Sequence, residues 1–273
     1  MAKAPAVKWT REHFLMALNL YCKLPFGKLD RNNPLIIDVA ARMGRSPDSL
    51  AMKLCNFASF DPVQQARGIK GLPGATPQDK RMWDEFHANL ATLGPASEQL
   101  LHDLFTKDNE REVDFLQSDK VRLEPSSKLI APTGPTESSA TVKVRRGQQF
   151  FRQSVLASYG ISCCITGIAV PRLLIASHIK PWRDCSDSER VNPRNGLCLS
   201  SLHDAAFDSF LITLDEKLKV VLSKRLKSYF PQPTLENNFV PFEGQPVRLP
   251  SKLAEPDPVF LSYHREQFVA RSA

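Results

Sequence analysis

Three polar residues in the second half of the sequence have types and spacing that suit acid–base and metal chemistry. His178 follows the apolar run RLLIAS, Asn195 begins NGLCLS, and His203 lies near the start of LHDAAFD. An imidazole with an ordinary pKa near ~6.5 is largely neutral at physiological pH, so it can accept a proton or bind a metal ion. An asparagine side chain can fix a loop through hydrogen bonds. Taken singly, each residue is better explained by structure, as a strand-end histidine, an Asn-Gly turn or a helix cap.

Short strands and a short helix must bring these residues together. RLLIAS and NGLCLS have the apolar composition of short strands, and LHDAAFD is predicted to be a short helix. The polar loop RDCSDSERVNPR joins the two strands, and FLITLD with LKVVLSK predicts a β-hairpin after the helix. The order is therefore strand and histidine, loop, asparagine and strand, then helix and histidine.

That order resembles the ββα-metal site of the HNH endonuclease family, particularly its restriction-type members. The resemblance is carried by ASHIKPW, NGLCLS and LHDAAFD and covers roughly residues 147–225. Residues 257–268 look like the helix that closes such domains. The resemblance implies a C-terminal HNH nuclease domain in an α+β protein, and it implies hydrolysis of phosphodiester bonds in DNA.

The family pattern also implies a role for each of the three residues. His178 would be the general base that activates water, and Asn195 would orient the loop that carries it. His203 would be a metal ligand. A divalent ion would stabilise the charge that develops on the phosphate, with Mg²⁺ expected and Mn²⁺ or another transition metal as alternatives.

Two departures from the family pattern concern the metal. Many members have an acidic residue or a histidine just before the base, whereas this sequence has Ser177. Asp208 is the first choice for the replacement ligand, and Asp204, Asn195 or water are the alternatives. Some members also carry paired CxxC motifs for zinc. No such pair occurs among Cys163, Cys164, Cys185 and Cys198, so we expect no structural zinc and interpret Cys164 and Cys198 as buried core residues.

The first half of the sequence favours helices and divides from the second half at a linker. Residues 124–141 are rich in Pro, Ser, Thr and Gly and have no periodicity. We therefore predict a mostly helical domain at 1–106, a linker at 107–141 and the nuclease domain at 142–273.

Residues 34–43 and 47–58 are predicted to be helices separated by a short turn, which is the layout of a helix-turn-helix. Ser49, Lys53 and Asn56 share one face of the second helix and would contact phosphates and base edges in DNA. The alternative is an ordinary helical bundle whose polar face is solvated. This half also resembles the leading domain of some of these nucleases.

The charge of the sequence permits a polyanionic partner. The 273 residues include 36 Lys and Arg against 29 Asp and Glu, a formal net charge of +7. Arg145, Arg146, Lys180 and Arg183 are predicted DNA contacts because two precede the nuclease core and two follow the base. No apolar run is long enough for a membrane helix, and the first residues lack the apolar segment of a secretory signal.

We interpret the whole sequence as that of a metal-dependent DNA endonuclease. We expect it to be cytoplasmic and to serve restriction or defence against foreign DNA. Its expected partners are double-stranded DNA and a second copy of the chain, and no membrane. Two alternatives remain open. One is a non-catalytic DNA-binding regulator on an HNH scaffold, which Ser177 leaves possible, and the other is a nuclease acting on RNA or single strands.

Overall fold

The chain divides into two compact units, Met1–Gln153 and Ser154–Ala273. The structure, a computed structural model, describes residues 8–69, 74–108, 111–116, 121–125, 139–250 and 255–271. Helices dominate the first unit, and small antiparallel strand pairs with helices form the second, so the predicted α+β class is confirmed. Within the described ranges, no helix has the length and apolar character needed to cross a membrane.

Five of the six helices described next for the first unit begin at a side-chain cap, and the last of the six is the exception. They are α1 (Arg11–Lys23), α2 (Pro34–Arg42), α3 (Pro47–Ala58), α4 (Pro62–Ala66), α5 (Pro77–Ala88) and α6 (Leu90–Phe105). The Thr10 side chain accepts from the backbone N–H of His13, and proline occupies the first position of α2 and α3. Helix α1 packs against α3, α5 and α6, and Tyr21, Phe57 and Trp83 form an aromatic cluster in the core.

The predicted linker contains regular structure. Strands β1 (Arg111–Asp114) and β2 (Arg122–Pro125) pair antiparallel within residues 107–141, and helix α7 spans Ser139–Ser158. Residues 126–138 of the predicted linker lie outside the described residues. The boundary between the compact units falls inside α7, whereas the sequence places the start of the nuclease domain at residue 142. The division into functional domains stays a prediction.

The described part of the second unit contains two antiparallel strand pairs. Its elements are β3 (Leu174–His178), α8 (Asp187–Val191), β4 (Gly196–Ser200), α9 (Ser201–Asp208), β5 (Ile212–Leu214), β6 (Val220–Leu222), α10 (Lys224–Lys227), α11 (Pro233–Phe239) and α12 (Pro258–Arg271). Strand β3 pairs with β4, and β5 pairs with β6 as the predicted hairpin.

The core of the second unit lies under β4 and α9. Every residue of β4 is buried, and α9 packs on both β3 and β4. Helix α12 packs on β5 and buries Phe260 and Phe268. Cys164 and Cys198 are buried, as predicted from their apolar neighbours. This packing fixes the strand ends and the helix on which the candidate site residues lie.

Candidate functional site

The strand pair β3–β4 presents His178 at its open end. His178 is the last residue of β3 and pairs with Gly196, the first residue of β4. Asn195 immediately precedes β4, at the end of a 3₁₀ turn, and its carbonyl accepts from the backbone N–H of Ile179 at 2.9 Å. Helix α9 follows β4 without an intervening loop, and His203 is its third residue. The predicted order of strand, loop, strand and helix is therefore confirmed.

Asn195 ties the loop after His178 to the start of β4. Its side chain is fully buried, and its Oδ1 accepts from the backbone N–H of Lys180 at 2.9 Å. Its amide donates to Cys185 Sγ and to the Glu189 carbonyl, both at 3.2 Å. Because these partners span the loop from residue 180 to residue 189, one side chain fixes both ends of the segment that follows His178.

His178 is oriented by a backbone carbonyl. Its Nε2 lies 3.0 Å from the Arg190 carbonyl oxygen, and its ring meets the Trp182 ring edge-on with centroids 5.5 Å apart. A carbonyl can only accept, so Nε2 carries the proton and Nδ1 carries the lone pair in the neutral ring. Burial, with the nearby Arg190 charge, lowers the pKa of His178 below the ordinary histidine value. The ring is therefore neutral, and able to act as a base, at physiological pH.

Two carboxylates of α9 lie beside the base. Asp204 and Asp208 are one helical turn apart, and the charge of Asp208 acts on both His178 and Asp204. The Ser177 hydroxyl donates to Asp204. Burial, together with the neighbouring Asp208 charge, raises the pKa of Asp204. Asp204 is therefore bonded to the residue before the base, and Asp208 lies within electrostatic range of both His178 and Asp204.

His203 does not present a ring nitrogen for a metal. Its Nε2 lies 2.9 Å from the Asn238 carbonyl oxygen, and its Nδ1 lies 3.0 Å from Ser200 Oγ. The ring is buried beside Phe239, and burial lowers its pKa. Both nitrogens are hydrogen-bonded, so His203 anchors α9 to α11 in this structure. The role of His203 as a metal ligand stays a prediction, and a metal bound there would have to replace one of these two hydrogen bonds.

The donors near the base suit a hard divalent ion. Within the described ranges, no three or more His, Cys, Asp and Glu side chains are grouped closely enough to hold a metal by themselves. Mg²⁺ commonly binds through one or two carboxylates and completes its shell with water and substrate phosphates. Asp204 and Asp208 meet that requirement, whereas a site with several histidine or thiolate ligands would be needed for tight zinc binding.

The two cations after the base have different surroundings. Lys180 forms an ion pair with Glu189 at 2.9 Å, with 21% of its side chain exposed, and this pair braces the loop. Arg183 is 69% exposed and lies 3.7 Å from the Asp184 carboxylate. Arg183 is therefore open to a phosphate, while Lys180 is engaged with a carboxylate.

The predicted DNA-binding face of α3 is largely buried. The Lys53 ammonium forms an ion pair with Asp79, and the Asn56 amide donates to the same carboxylate at 3.2 Å. Lys53 and Asn56 have relative exposures of 8% and 3%, and Ser49 is half-buried. The prediction of a solvent-facing polar set is therefore wrong for Lys53 and Asn56, because α5 covers them.

One of the two arginines predicted ahead of the nuclease core differs from expectation. Arg146 is 1% exposed and donates to the side-chain oxygens of Gln99 and Gln149. Arg145 is half-buried. Arg146 is therefore an internal packing residue in the first unit, and the expectation of a surface phosphate contact is wrong for it.

The structure adds the loop helix α8 to the site, which the sequence interpretation missed. This helix carries the Arg190 carbonyl that holds His178, and it begins at Ser186 with a capping box completed by Glu189. The Ser-x-x-Glu spacing in SDSE was a usable signal for this helix. A backbone carbonyl as the partner of the base had no such signal, since every residue type supplies one.

Comparison with known proteins identifies the segment that contains this geometry. A family model described as HNH endonuclease matches residues 163–215. The matched segment runs from the turn before β3 to the residue after β5, so it includes the base, the buried asparagine and both aspartates. A search of curated proteins found no match to the chain.

Proposed function

Because residues 163–215 are an HNH endonuclease domain, a phosphodiesterase hydrolase by family, we propose that the protein cuts duplex DNA with His178 as the general base. The observation that carries this proposal is the ring of His178, which the Arg190 carbonyl holds and on which the charge of the Asp208 carboxylate acts. Hydrolysis of a phosphodiester requires a base for the attacking water and stabilisation of the charge on the phosphate. Both requirements have residues to meet them here.

His178 would take the proton of the attacking water at Nδ1. The bond from Nε2 to the Arg190 carbonyl holds the ring in the tautomer with its lone pair at Nδ1. When the proton arrives, the same carbonyl stabilises the imidazolium that forms. Asn195 positions this ring indirectly, since it fixes the loop on which Arg190 lies.

Asp208 and Asp204 would hold the divalent ion. Asp208 is exposed and Asp204 is half-buried, and the charge of Asp208 acts on Asp204, so we place the ion between these carboxylates and a substrate phosphate. A bound Mg²⁺ or Mn²⁺ supplies Lewis-acid stabilisation of the charge on the phosphate and the departing oxygen. His203 would support these ligands by anchoring α9. This assignment places the metal on two carboxylates and removes it from His203.

The wider role is part of the same proposal. Arg183 offers an exposed guanidinium near the base, and the helix-turn-helix layout of α2 and α3 suits a unit that binds duplex DNA through surface residues other than Lys53 and Asn56. A homodimer would place one site on each strand of a two-fold duplex. Restriction or defence in the cytoplasm, with Mg²⁺ as the ion, is the role that the family resemblance favours.

The test is a cleavage assay with four substrates. Supercoiled plasmid, linear duplex DNA, single-stranded DNA and RNA are each incubated with the full chain in Mg²⁺, Mn²⁺ or EDTA. We expect cleavage of the duplex substrates with either metal and none with EDTA. Cleavage confined to RNA or single-stranded DNA would show that duplex DNA is not the substrate. Duplex binding without any cleavage would favour the non-catalytic regulator.

Two variants separate the metal assignment from the family pattern. Asp208→Asn should weaken Mn²⁺ binding strongly, whereas His203→Asn should change it less, provided the variant stays folded. Calorimetric titration of Mn²⁺ into each purified variant measures this difference without relying on cleavage. A larger loss of Mn²⁺ affinity in His203→Asn than in Asp208→Asn, with a native circular dichroism spectrum, would show that His203 is a metal ligand.

A further inference from the structure

Two adjacent residues of the C-terminal helix α12 contact two different parts of the site. Tyr263 and His264 lie outside the segment that matches the family, 163–215. Consecutive residues on an α-helix point in directions about 100° apart. Tyr263 reaches the loop that follows the base, and His264 reaches the end of α9. Neither contact is explained by the assignments above.

His264 holds the last turn of α9. Its Nε2 donates to the Phe207 carbonyl at 3.1 Å, and its Nδ1 lies 2.8 Å from Thr213 Oγ1 on β5. Because the carbonyl can only accept, Nδ1 must accept from the Thr213 hydroxyl. The imidazole also stacks on the Phe207 ring with centroids 3.7 Å apart and planes 9° from parallel. The residue after Phe207 is Asp208, so these contacts set the turn from which the proposed ligand projects.

Tyr263 holds the segment after the base. Its hydroxyl donates to Asp184 Oδ2 at 3.0 Å, and its ring lies 5.6 Å from the Lys180 ammonium. Asp184 ends the 3₁₀ turn that begins at Trp182, the residue whose ring contacts His178. The hydroxyl of Tyr263 is therefore linked through one short turn to the ring packed against the base.

We propose that α12 positions the two halves of the nuclease site, with His264 setting the place of Asp208 and Tyr263 setting the loop beside His178. This inference rests on the proposed function, because it takes Asp208 as a metal ligand and His178 as the base. Both residues act through others and touch neither metal nor substrate. Groups that orient metal ligands typically change metal affinity by about 10- to 100-fold when they are removed.

The His264 contact is tested by replacing both partners of its buried hydrogen bond. The double variant Thr213→Val/His264→Phe keeps the ring and the volume, and it leaves no hydroxyl unpaired. The Phe207 carbonyl keeps its bond from the Phe210 N–H at 2.9 Å, so it is not orphaned. We expect this variant to fold and its Mn²⁺ affinity, measured by calorimetry, to fall about tenfold. Val269→Ala, at a position that is 68% exposed on the same helix, is the control and should bind Mn²⁺ as the wild type does.

The Tyr263 contact is tested by its effect on the cleavage rate, with a substitution that is less disruptive to folding than the double variant. Tyr263→Phe removes only a hydroxyl that bonds an exposed carboxylate. We expect kcat for duplex cleavage to fall about fivefold through misplacement of the loop, with unchanged KM and unchanged Mn²⁺ affinity. A variant with the wild-type kcat would overturn the role of Tyr263 and, with it, the two-sided positioning.

These measurements separate the two proposals. If the wild type binds Mn²⁺ but cuts no nucleic acid, the proposed function fails and the calorimetry still tests His264. If the wild type cuts duplex DNA and the folded double variant keeps its Mn²⁺ affinity, only the positioning role of His264 fails. If the double variant does not fold, Tyr263→Phe decides the proposal alone through its kcat.

Discussion

The sequence predicts functional polar side chains on helix α3 in the first unit and on helix α9 in the second. In the structure, the polar side chains of the two helices have different surroundings. On α9, the Asp204 carboxylate bonds Ser177, and the charge of Asp208 acts on His178. On α3, Lys53 forms an internal ion pair with Asp79 and is removed from solvent. The helical spacing was correct in both places, since each set does share a face. What differs is what lies against that face.

The difference has a physical cause in the neighbouring elements. Helix α9 follows β4 directly and packs on β3. The strand that carries the base therefore lies against α9. Helix α3 packs against α5. Asp79 belongs to the N-terminal capping box of α5, and its carboxylate also forms the ion pair with Lys53. Periodicity therefore predicts which residues share a face, and only the packing partner decides whether the face is a surface or an interior.

The largest effect on this comparison is expected at Asp208. Asp208→Asn keeps the size of the side chain but removes the charge, so the rate of duplex cleavage at 1 mM Mg²⁺ should fall about 100- to 1000-fold, the loss of several kcal/mol of charge stabilisation. Asp84→Asn is the matched control, because its side chain is 57% exposed and its ion pair with Lys80 lies at the surface of the first unit. A similar loss of rate in both variants would mean that the Asp208 effect is not local to the site.

The next effect concerns stability and sharpens the other half of the comparison. Lys53→Ala leaves the buried Asp79 carboxylate without its cation, so the free energy of unfolding should fall by about 3 kcal/mol. Lys80→Ala removes the cation of a surface pair with Asp84 and should cost less than about 1 kcal/mol. Urea unfolding measures both. If Lys53→Ala is as stable as the wild type but binds duplex DNA with a shallower salt dependence, the original DNA-contact interpretation is right and the structural one fails.

A smaller effect is expected from pH. Burial lowers the pKa of His264 to about 4 in the folded protein, against an ordinary value of 6.5. The unfolded chain therefore binds the proton more readily, and the stability contributed by this residue is full above pH 6.5 and is lost as the pH falls toward 4. Between pH 7 and pH 5 the loss should be about 2 kcal/mol. Urea unfolding of Thr213→Val/His264→Phe should show a flatter profile than the wild type by that amount, and an unchanged profile would remove His264 as its source.

The smallest effect is expected at the surface near the base. Arg183→Ala should weaken binding to duplex DNA about threefold at low salt and reduce the salt slope by about one unit. Arg172→Ala is the control, because this exposed residue precedes β3 at the end remote from His178. Fluorescence anisotropy over a range of NaCl concentrations distinguishes the two. Equal losses of DNA affinity in both variants would indicate a general effect of net charge and no specific phosphate contact at Arg183.

Much of the fold and part of the site could be predicted from local signals. Thr10, Pro34 and Ser46 marked helix starts that the structure has, and the ordered motifs around His178, Asn195 and His203 identified the HNH segment. Such signals act over a few residues, so they survive without knowledge of the tertiary fold.

Other features depended on contacts between distant residues and could not be predicted in this way. His203 bonds the carbonyl of Asn238, 35 residues away, and His264 bonds the carbonyl of Phe207, 57 residues away. Backbone carbonyls carry no residue identity, so neither partner leaves a mark in the sequence. The burial of Lys53 likewise depends on Asp79, 26 residues further along the chain.

The most direct test of the account is the single-turnover rate of duplex cleavage in His178→Ala. The substrate is a linear duplex at saturating enzyme and 5 mM Mg²⁺, and duplex binding is measured by anisotropy on the same preparations. Loss of the general base should lower the rate about 100- to 10,000-fold while binding stays within about twofold of the wild type. A variant that binds and cuts as the wild type does would contradict the assignment of His178 as the base and the site built around it.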